Sequence, residues 1–161
     1  MDYSLAVHSY STHRVYVTAA IKKIRPDVKI DEIRVMIDTG CYNTMIPLWV
    51  AQHTGYDLGI NRAVAIGGSV GVGRLYALDH LTIGGCAMHR VVVLAYPFTR
   101  GNELYDTLLL GTNVLNNWKF TIDRKESRFS FTENFPAWLP NQANPYQNYF
   151  NEQHEYVTTQ Q

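Results

Sequence analysis

The sequence is short of most features that would place it at sight. It has only two cysteines, Cys41 and Cys86, in 161 residues, too few for a disulfide framework or, by themselves, a tetrahedral metal site. Two free thiols suit a reducing compartment, so the expected location is the cytoplasm. Net charge is absent: fourteen basic residues balance fourteen acidic ones. That excludes a broad electrostatic footprint for nucleic acid or an anionic membrane, and neither partner is expected. No apolar run is long enough to span a bilayer. The opening "MDYSLAVHSYSTHR" lacks the basic stretch and apolar core of a secretory leader. The expectation is a soluble chain of one domain with a single core.

Familiar catalytic patterns are missing too. The six histidines, His8, His13, His53, His80, His89 and His154, are scattered, and no pair has the spacing of a ligand set, so no metal is expected. Ser69 lies in a glycine-rich turn and lacks the strand-to-helix setting of a nucleophile elbow. That same glycine stretch is followed by no Lys-Ser/Thr, which argues against a phosphate loop. Neither a metal nor an organic cofactor is expected.

Short strands are what the chain does have. "HRVYVTAAI" (13–21) alternates and is rich in β-branched and aromatic residues, and "DEIRVMID" (31–38) follows a proline-marked turn in "IRPDVK". "IPLWVAQHTG" (46–55) predicts the one clear helix of the first half, with Pro47 in its first turn and Gly55 as its cap. "IGGSVGVG" (66–73) predicts a flexible hairpin tip, and Gly84-Gly85 a second, two-residue hairpin. "YDTLLLGTNVLNNWKF" passes from a buried strand into a short helix, and "KFTIDRKESRFSF" (119–131) closes as a hairpin. The fold class is mainly β with one or two short helices. Residues 1–132 form the expected domain. Residues 133–161, rich in Asn, Gln, Pro and Tyr without a period, have the composition of a disordered tail, whose aromatics could also serve for docking.

One acid needs explaining. "VMIDTGCYNTMIP" (35–47) runs an apolar strand into Asp38, and a carboxylate there is costly unless it is hydrogen-bonded. Thr39 offers a hydroxyl and Gly40 a tight backbone, so neighbouring N–H groups can turn towards the acid. A carboxylate held in that way has an adjustable pKa, which suits acid–base chemistry. The tripeptide alone is weak, since chance would supply it in roughly 3% of chains this long. The same residues would also serve simply to cap a turn.

Its surroundings strengthen the case. Asp-Thr-Gly with Thr44 beyond it, the glycine-rich "AIGGSVGVG" and the apolar "LLLGTNVL" (108–115) follow one another in order. This combination resembles the retropepsins, single-lobe homodimeric aspartic proteases, over roughly residues 13–132. The resemblance implies a closed β-barrel acid-protease fold and makes Asp38 the catalytic acid. Thr39 and Gly40 would support the paired acids, while Thr44 and Gly111 would be structural. Ile66, Gly67, Gly68, Ser69 and Gly71 would form a flap over an extended peptide substrate, and Tyr42 and Asn43 would contact that substrate near the acids.

The chain departs from the viral pattern after the glycine. Cys41 stands where Ala or Ser is usual, Tyr42 and Asn43 replace two acids, and Thr112 replaces an arginine that pairs with one of them. Acid and arginine are lost together, so no charge is stranded. Cys41 itself is a poor nucleophile beside Asp38, because a neighbouring carboxylate raises a thiol's pKa.

Aspartic protease chemistry needs two carboxylates, and this sequence has one Asp-Thr-Gly. The expectation is therefore a homodimer with Asp38 from each chain. The alternative is a peptide-binding or assembly module with the same fold and no catalysis, which Cys41, Tyr42 and Asn43 keep open. A monomer in which Asp38 only caps its loop is the third.

Overall fold

Side chains that alternate between two environments leave a strand little choice of register, and such alternation runs through most of this chain. The computed structural model describes residues 2–7, 9–10, 14–24, 30–116 and 118–133. The turn expected in "IRPDVK", the tail beyond residue 133, and His8, His13 and His154 lie outside the described residues. Among the described residues there are eleven strands: β1 (Asp2–Ala6), β2 (Ser9–Tyr10), β3 (Val15–Ile21), β4 (Glu32–Ile37), β5 (Met45–Pro47), β6 (Gly55–Ile66), β7 (Ser69–Ile83), β8 (Cys86–Tyr96), β9 (Thr107–Leu110), β10 (Trp118–Asp123) and β11 (Arg128–Glu133). Helix α1 (Leu48–Thr54) follows β5, α2 (Thr112–Leu115) follows β9, and a 3₁₀ turn, Glu103–Asp106, precedes β9. Among the described residues no helix is long and apolar enough to cross a membrane.

Six strands close a barrel, in the order β3, β4, β9, β5, β8, β7 and back to β3. The β4–β9 and β5–β8 pairs are parallel, and the remaining pairs of the ring are antiparallel. One face of the ring carries Val17, Val35, Ile37, Ile46, Leu78, Val93, Leu108 and Leu110 into a single apolar cluster. The alternate residues Tyr16, Met36, Met45, Leu75, Leu94 and Leu109 form a second cluster with Leu58 and Phe98. Both faces of β9 are therefore buried, and its "TLLL" is buried at every position, with Leu108, Leu109 and Leu110 forming the apolar run expected of a doubly covered strand.

A separate three-stranded sheet, β1–β11–β10, packs against the first cluster through Phe129, Phe131 and Trp118. Trp118 stacks on Phe131 with ring centroids 4.0 Å apart. Trp118 is thus a packing residue.

Two expectations need correcting. Ile46 and Pro47 belong to strand β5, and Pro47 is the residue just before α1 rather than part of its first turn. The parallel pairing of Met45–Pro47 with Leu94–Tyr96 outweighs the helical look of the local sequence. Gly55 does end the helix, but with extended backbone (φ −140°). A Cβ there would sit 2.9 Å from the carbonyl oxygen of Ala77, so the position needs room for a neighbouring strand rather than a left-handed turn. The two glycine-pair turns do require positive φ: Gly67 and Gly68 lie at 55° and 84°, Gly84 and Gly85 at 58° and 88°. This is the two-residue geometry that matches the twist of antiparallel strands.

Candidate active site

Asp38 sits where parallel strands β4 and β9 part. Its backbone N–H donates to the carbonyl of Leu110 (3.0 Å), a last rung of the β4–β9 pairing. The chain then turns through Thr39 and Gly40, and the Gly40 N–H returns to Asp38 Oδ1 at 2.9 Å. Here is the hydrogen bond that the acid's position demanded. Glycine is suited to the turn because a Cβ on residue 40 would press on that same carboxylate oxygen at 3.3 Å. The carboxylate is half-buried, and Thr39 and Gly40 are exposed.

Beyond the turn the loop crosses the end of β9 and is fastened there. The Thr112 N–H donates to the Cys41 carbonyl (2.8 Å), and the Asn113 N–H to the Tyr42 carbonyl (2.9 Å). The fit around Gly111 is close: a Cβ on it would lie 2.7 Å from the Cys41 and Asn43 carbonyl oxygens. Thr44 is fully buried. Its hydroxyl donates to Asn113 Oδ1 (2.7 Å) and accepts from the Gly111 N–H (3.1 Å), while its backbone N–H also reaches Asn113 Oδ1 (2.9 Å). Asn113 Nδ2 donates onward to the Val92 carbonyl of β8 (3.2 Å). One amide side chain thereby joins the acid's loop, the first turn of α2 and the barrel wall.

The structure thus brings Asp38, Thr39, Gly40, Cys41, Tyr42, Asn43, Thr44 and Gly111 into one neighbourhood. Within it Tyr42 is 68% exposed, an unusual state for a large apolar ring. Cys41 is half-buried, and its thiol donates to the Asn43 carbonyl at 3.2 Å. Burial pushes the Cys41 thiol up from its ordinary pKa, and the Asp38 charge pushes the same way, against a smaller opposing effect of backbone hydrogen bonding by Asn43.

The β6–β7 hairpin carries the glycine-rich stretch. Its inner side chains Val64 and Ile66 pack against the second apolar cluster, as Cys41 does from the acid's loop. Gly67, Gly68 and Ser69 are exposed at the tip, and Ser69 Oγ donates back to the Ile66 carbonyl (3.0 Å). Val70 and Val72 on the hairpin and Tyr42 are the exposed large hydrophobics among the described residues.

Asn113 was not among the site residues expected from sequence. Its only signal was position, two residues after the glycine of "LLLGTNVL". The structure also pairs two histidines that looked scattered: His80 and His89 face each other across β7 and β8 with ring centroids 4.0 Å apart. Even so, no group of three or more His, Cys, Asp or Glu among the described residues is placed to hold a metal ion.

A fold of this kind, with Asp-Thr-Gly at the fork of two parallel strands, defines a class, and comparison with known proteins agrees. The sequence model of the aspartyl protease family matches residues 17–114, and the chain belongs to that family. A retropepsin-like aspartic protease from Rickettsia conorii has a similar structure, with a TM-score of 0.53 and 16% sequence identity over 81% of this chain and 91% of that one. The fold is retropepsin-like. No curated protein matches the sequence.

Proposed function

We propose that the protein is a homodimeric aspartic endopeptidase whose two Asp38 carboxylates, one from each chain, activate water between them. The observation that carries this reading is a single Asp38 held in place by its own loop through Gly40, in a family of aspartyl proteases, with no second Asp-Thr-Gly in the chain. Two carboxylates brought this close cannot both ionise and so share one proton. The ionised one takes a proton from water, whose oxygen attacks the peptide carbonyl carbon, and the protonated one donates to the carbonyl oxygen. Collapse of the tetrahedral intermediate breaks the C–N bond. The leaving nitrogen takes the proton that came from the water, and the dyad regains the one it lent.

Other residues take supporting roles in this scheme. Exposed Thr39 is free to meet its counterpart across the two-fold axis. The β6–β7 hairpin closes as a flap over an extended peptide, shielding it from water. Its inner apolar face and the loop residues Tyr42 and Asn43 contact the substrate, which lies as an added strand. Neither metal nor organic cofactor enters. The free thiols of Cys41 and Cys86 fit work in a reducing cytoplasm.

The test is to incubate a diverse peptide mixture with the protein across roughly pH 4 to 7, the range in which a carboxylate dyad can share a proton. Asp38→Asn serves as the control, and new termini are read by mass spectrometry at several protein concentrations. Expected is cleavage that disappears in the variant and falls more than linearly on dilution. A folded, confirmed dimer that cuts nothing would instead favour the peptide-binding or assembly module.

A further inference from the structure

The β6–β7 hairpin outruns its support. Strand β7 pairs with β8 only as far as Arg74↔Ala95, whereas its pairing with β6 continues outward to Ile66↔Ser69 at the tip. From Gly73 to the turn the two strands have no third partner among the described residues, and an unsupported two-stranded ribbon is marginally stable in water. Something other than backbone pairing must hold this arm in place.

The last residues of β8 supply it. An ideal Cβ built on Gly73 would meet Leu94 Cδ1 at 2.8 Å, and one built on Gly71 would meet Tyr96 Oη at 2.6 Å and Cε2 at 2.7 Å. Both side chains lean towards the tip and lie against bare backbone where the facing residue is glycine. Tyr96 lies at the very end of β8, so its ring extends support beyond the last paired residue of the barrel. That ring is itself braced by Phe98, with centroids 4.9 Å apart, and Phe98 is buried in the second apolar cluster.

We propose that Tyr96 is a positioning residue: its ring is the rest on which the free arm of the hairpin sits, and Gly71 is glycine to receive it. This explains why the stretch is glycine-rich beyond its turn. Gly67 and Gly68 serve the turn through positive φ, but Gly71 and Gly73 have ordinary φ and serve the contact with β8. The inference deepens the protease reading and rests on it only for the consequence that substrate turnover depends on this contact.

Amide hydrogen exchange tests the contact without any activity. Tyr96→Ala should speed exchange at residues 63–72 by about tenfold, as expected when a locally opening unit loses its tertiary support, with β10 and β11 unchanged. Tyr96→Phe, which keeps the ring, should restore slow exchange. Gly71→Ala should also speed exchange, because its methyl displaces the ring. Adding it to Tyr96→Ala should bring little more, since the displaced partner is already gone. In the enzyme, the Tyr96→Ala loss of kcat/KM should lie within roughly a hundredfold, the scale for a misplaced positioning group, and most of it should appear in KM.

The proposal is overturned if Tyr96→Ala leaves the hairpin amides protected, if exchange quickens equally throughout the barrel, or if the two alanine effects add. Should the wild-type protein cut no peptide, the protease reading fails while the exchange data still decide this one.

Discussion

Thr44 Oγ1 stands 2.7 Å from Asn113 Oδ1, joining residues that are 69 positions apart in the chain. The same hydroxyl also accepts from the buried Gly111 N–H, so it serves as donor and acceptor at once. Thr44→Val keeps the shape and removes both functions, leaving the buried Gly111 N–H without its acceptor while Asn113 Oδ1 keeps the Thr44 backbone N–H. The expected cost is about 2 kcal/mol, the usual penalty for a buried polar group left unsatisfied. Thr44→Ser should recover most of it. Denaturant unfolding of the three proteins measures the difference, and equal stability of valine and serine variants would remove the hydroxyl from this account.

Gly111 makes a harsher demand. A methyl group there would lie 2.7 Å from three backbone atoms of Cys41 and Asn43. A flexible side chain could swing away, but this backbone is fixed by the Thr112 and Asn113 N–H bonds to the same loop. Gly111→Ala should therefore destabilise by about 3 kcal/mol or more, at the upper end for overpacking a core, and should displace Asp38's loop. By contrast Gly101, where a Cβ would meet nothing within 4 Å, should accept alanine with little change. Thermal unfolding of the pair checks both statements.

What the sequence disclosed and what it hid follow from how local each signal is. The strand that ends in Asp38 was legible because Val35, Met36 and Ile37 are buried in a row, and the hairpin turns because only glycine sits readily at positive φ. Strand β1 carries no strand signature in the sequence. Its side chains alternate only between exposed and half-buried, and its pairing partner β11 lies at the other end of the domain. Met45–Pro47 looked helical because its apolar run continues into α1, and only pairing with β8 draws it out as a strand. The roles of Asn113 and Tyr96 are illegible in the sequence for the same reason: neither has a local pattern, and each acts through a residue far away in sequence.

Stability should depend on pH through His89. Burial lowers its pKa from 6.5, the facing His80 and neighbouring Arg90 lower it further, and Asp79 opposes them more weakly. A folded-state pKa below the unfolded value means that the unfolded chain takes up the proton first. The stabilisation is therefore complete above the unfolded pKa and is lost as pH falls through the folded one. Melting temperature should fall between pH 7.5 and about 5.5, the upper part of the range where histidine titrates, and His89→Gln should flatten that slope. A variant as steep as the parent would assign the slope to other groups.

Cys41 should be a sluggish thiol. Burial and the Asp38 charge both raise its pKa, so the reactive thiolate is scarce at neutral pH. Alkylation by iodoacetamide, followed at the Cys41 peptide by mass spectrometry, should be slow at pH 7.5 and accelerate up to the ordinary thiol pKa and beyond. Asp38→Asn removes one of the two raising influences and should quicken the reaction at a given pH. The change should be partial, because burial is the larger cause and remains. No change on neutralising Asp38 would mean that its charge is not felt at the sulfur.

A mixture of active and inactive chains tests the shared dyad directly. If each site takes one Asp38 from each chain, a chain carrying Asp38→Asn spoils any partner it meets. With random exchange and a ninefold excess of the variant, about one dimer in a hundred retains two intact acids, whereas independent sites would leave about one in ten. Activity per wild-type chain should then fall about tenfold under the shared-dyad arrangement and stay constant otherwise. Total protein must be held well above the dimer dissociation constant during mixing, so that dilution does not imitate poisoning. Constant activity per wild-type chain, with subunit exchange confirmed by a tagged copy, would place both catalytic groups within one chain and overturn the proposed dimeric mechanism.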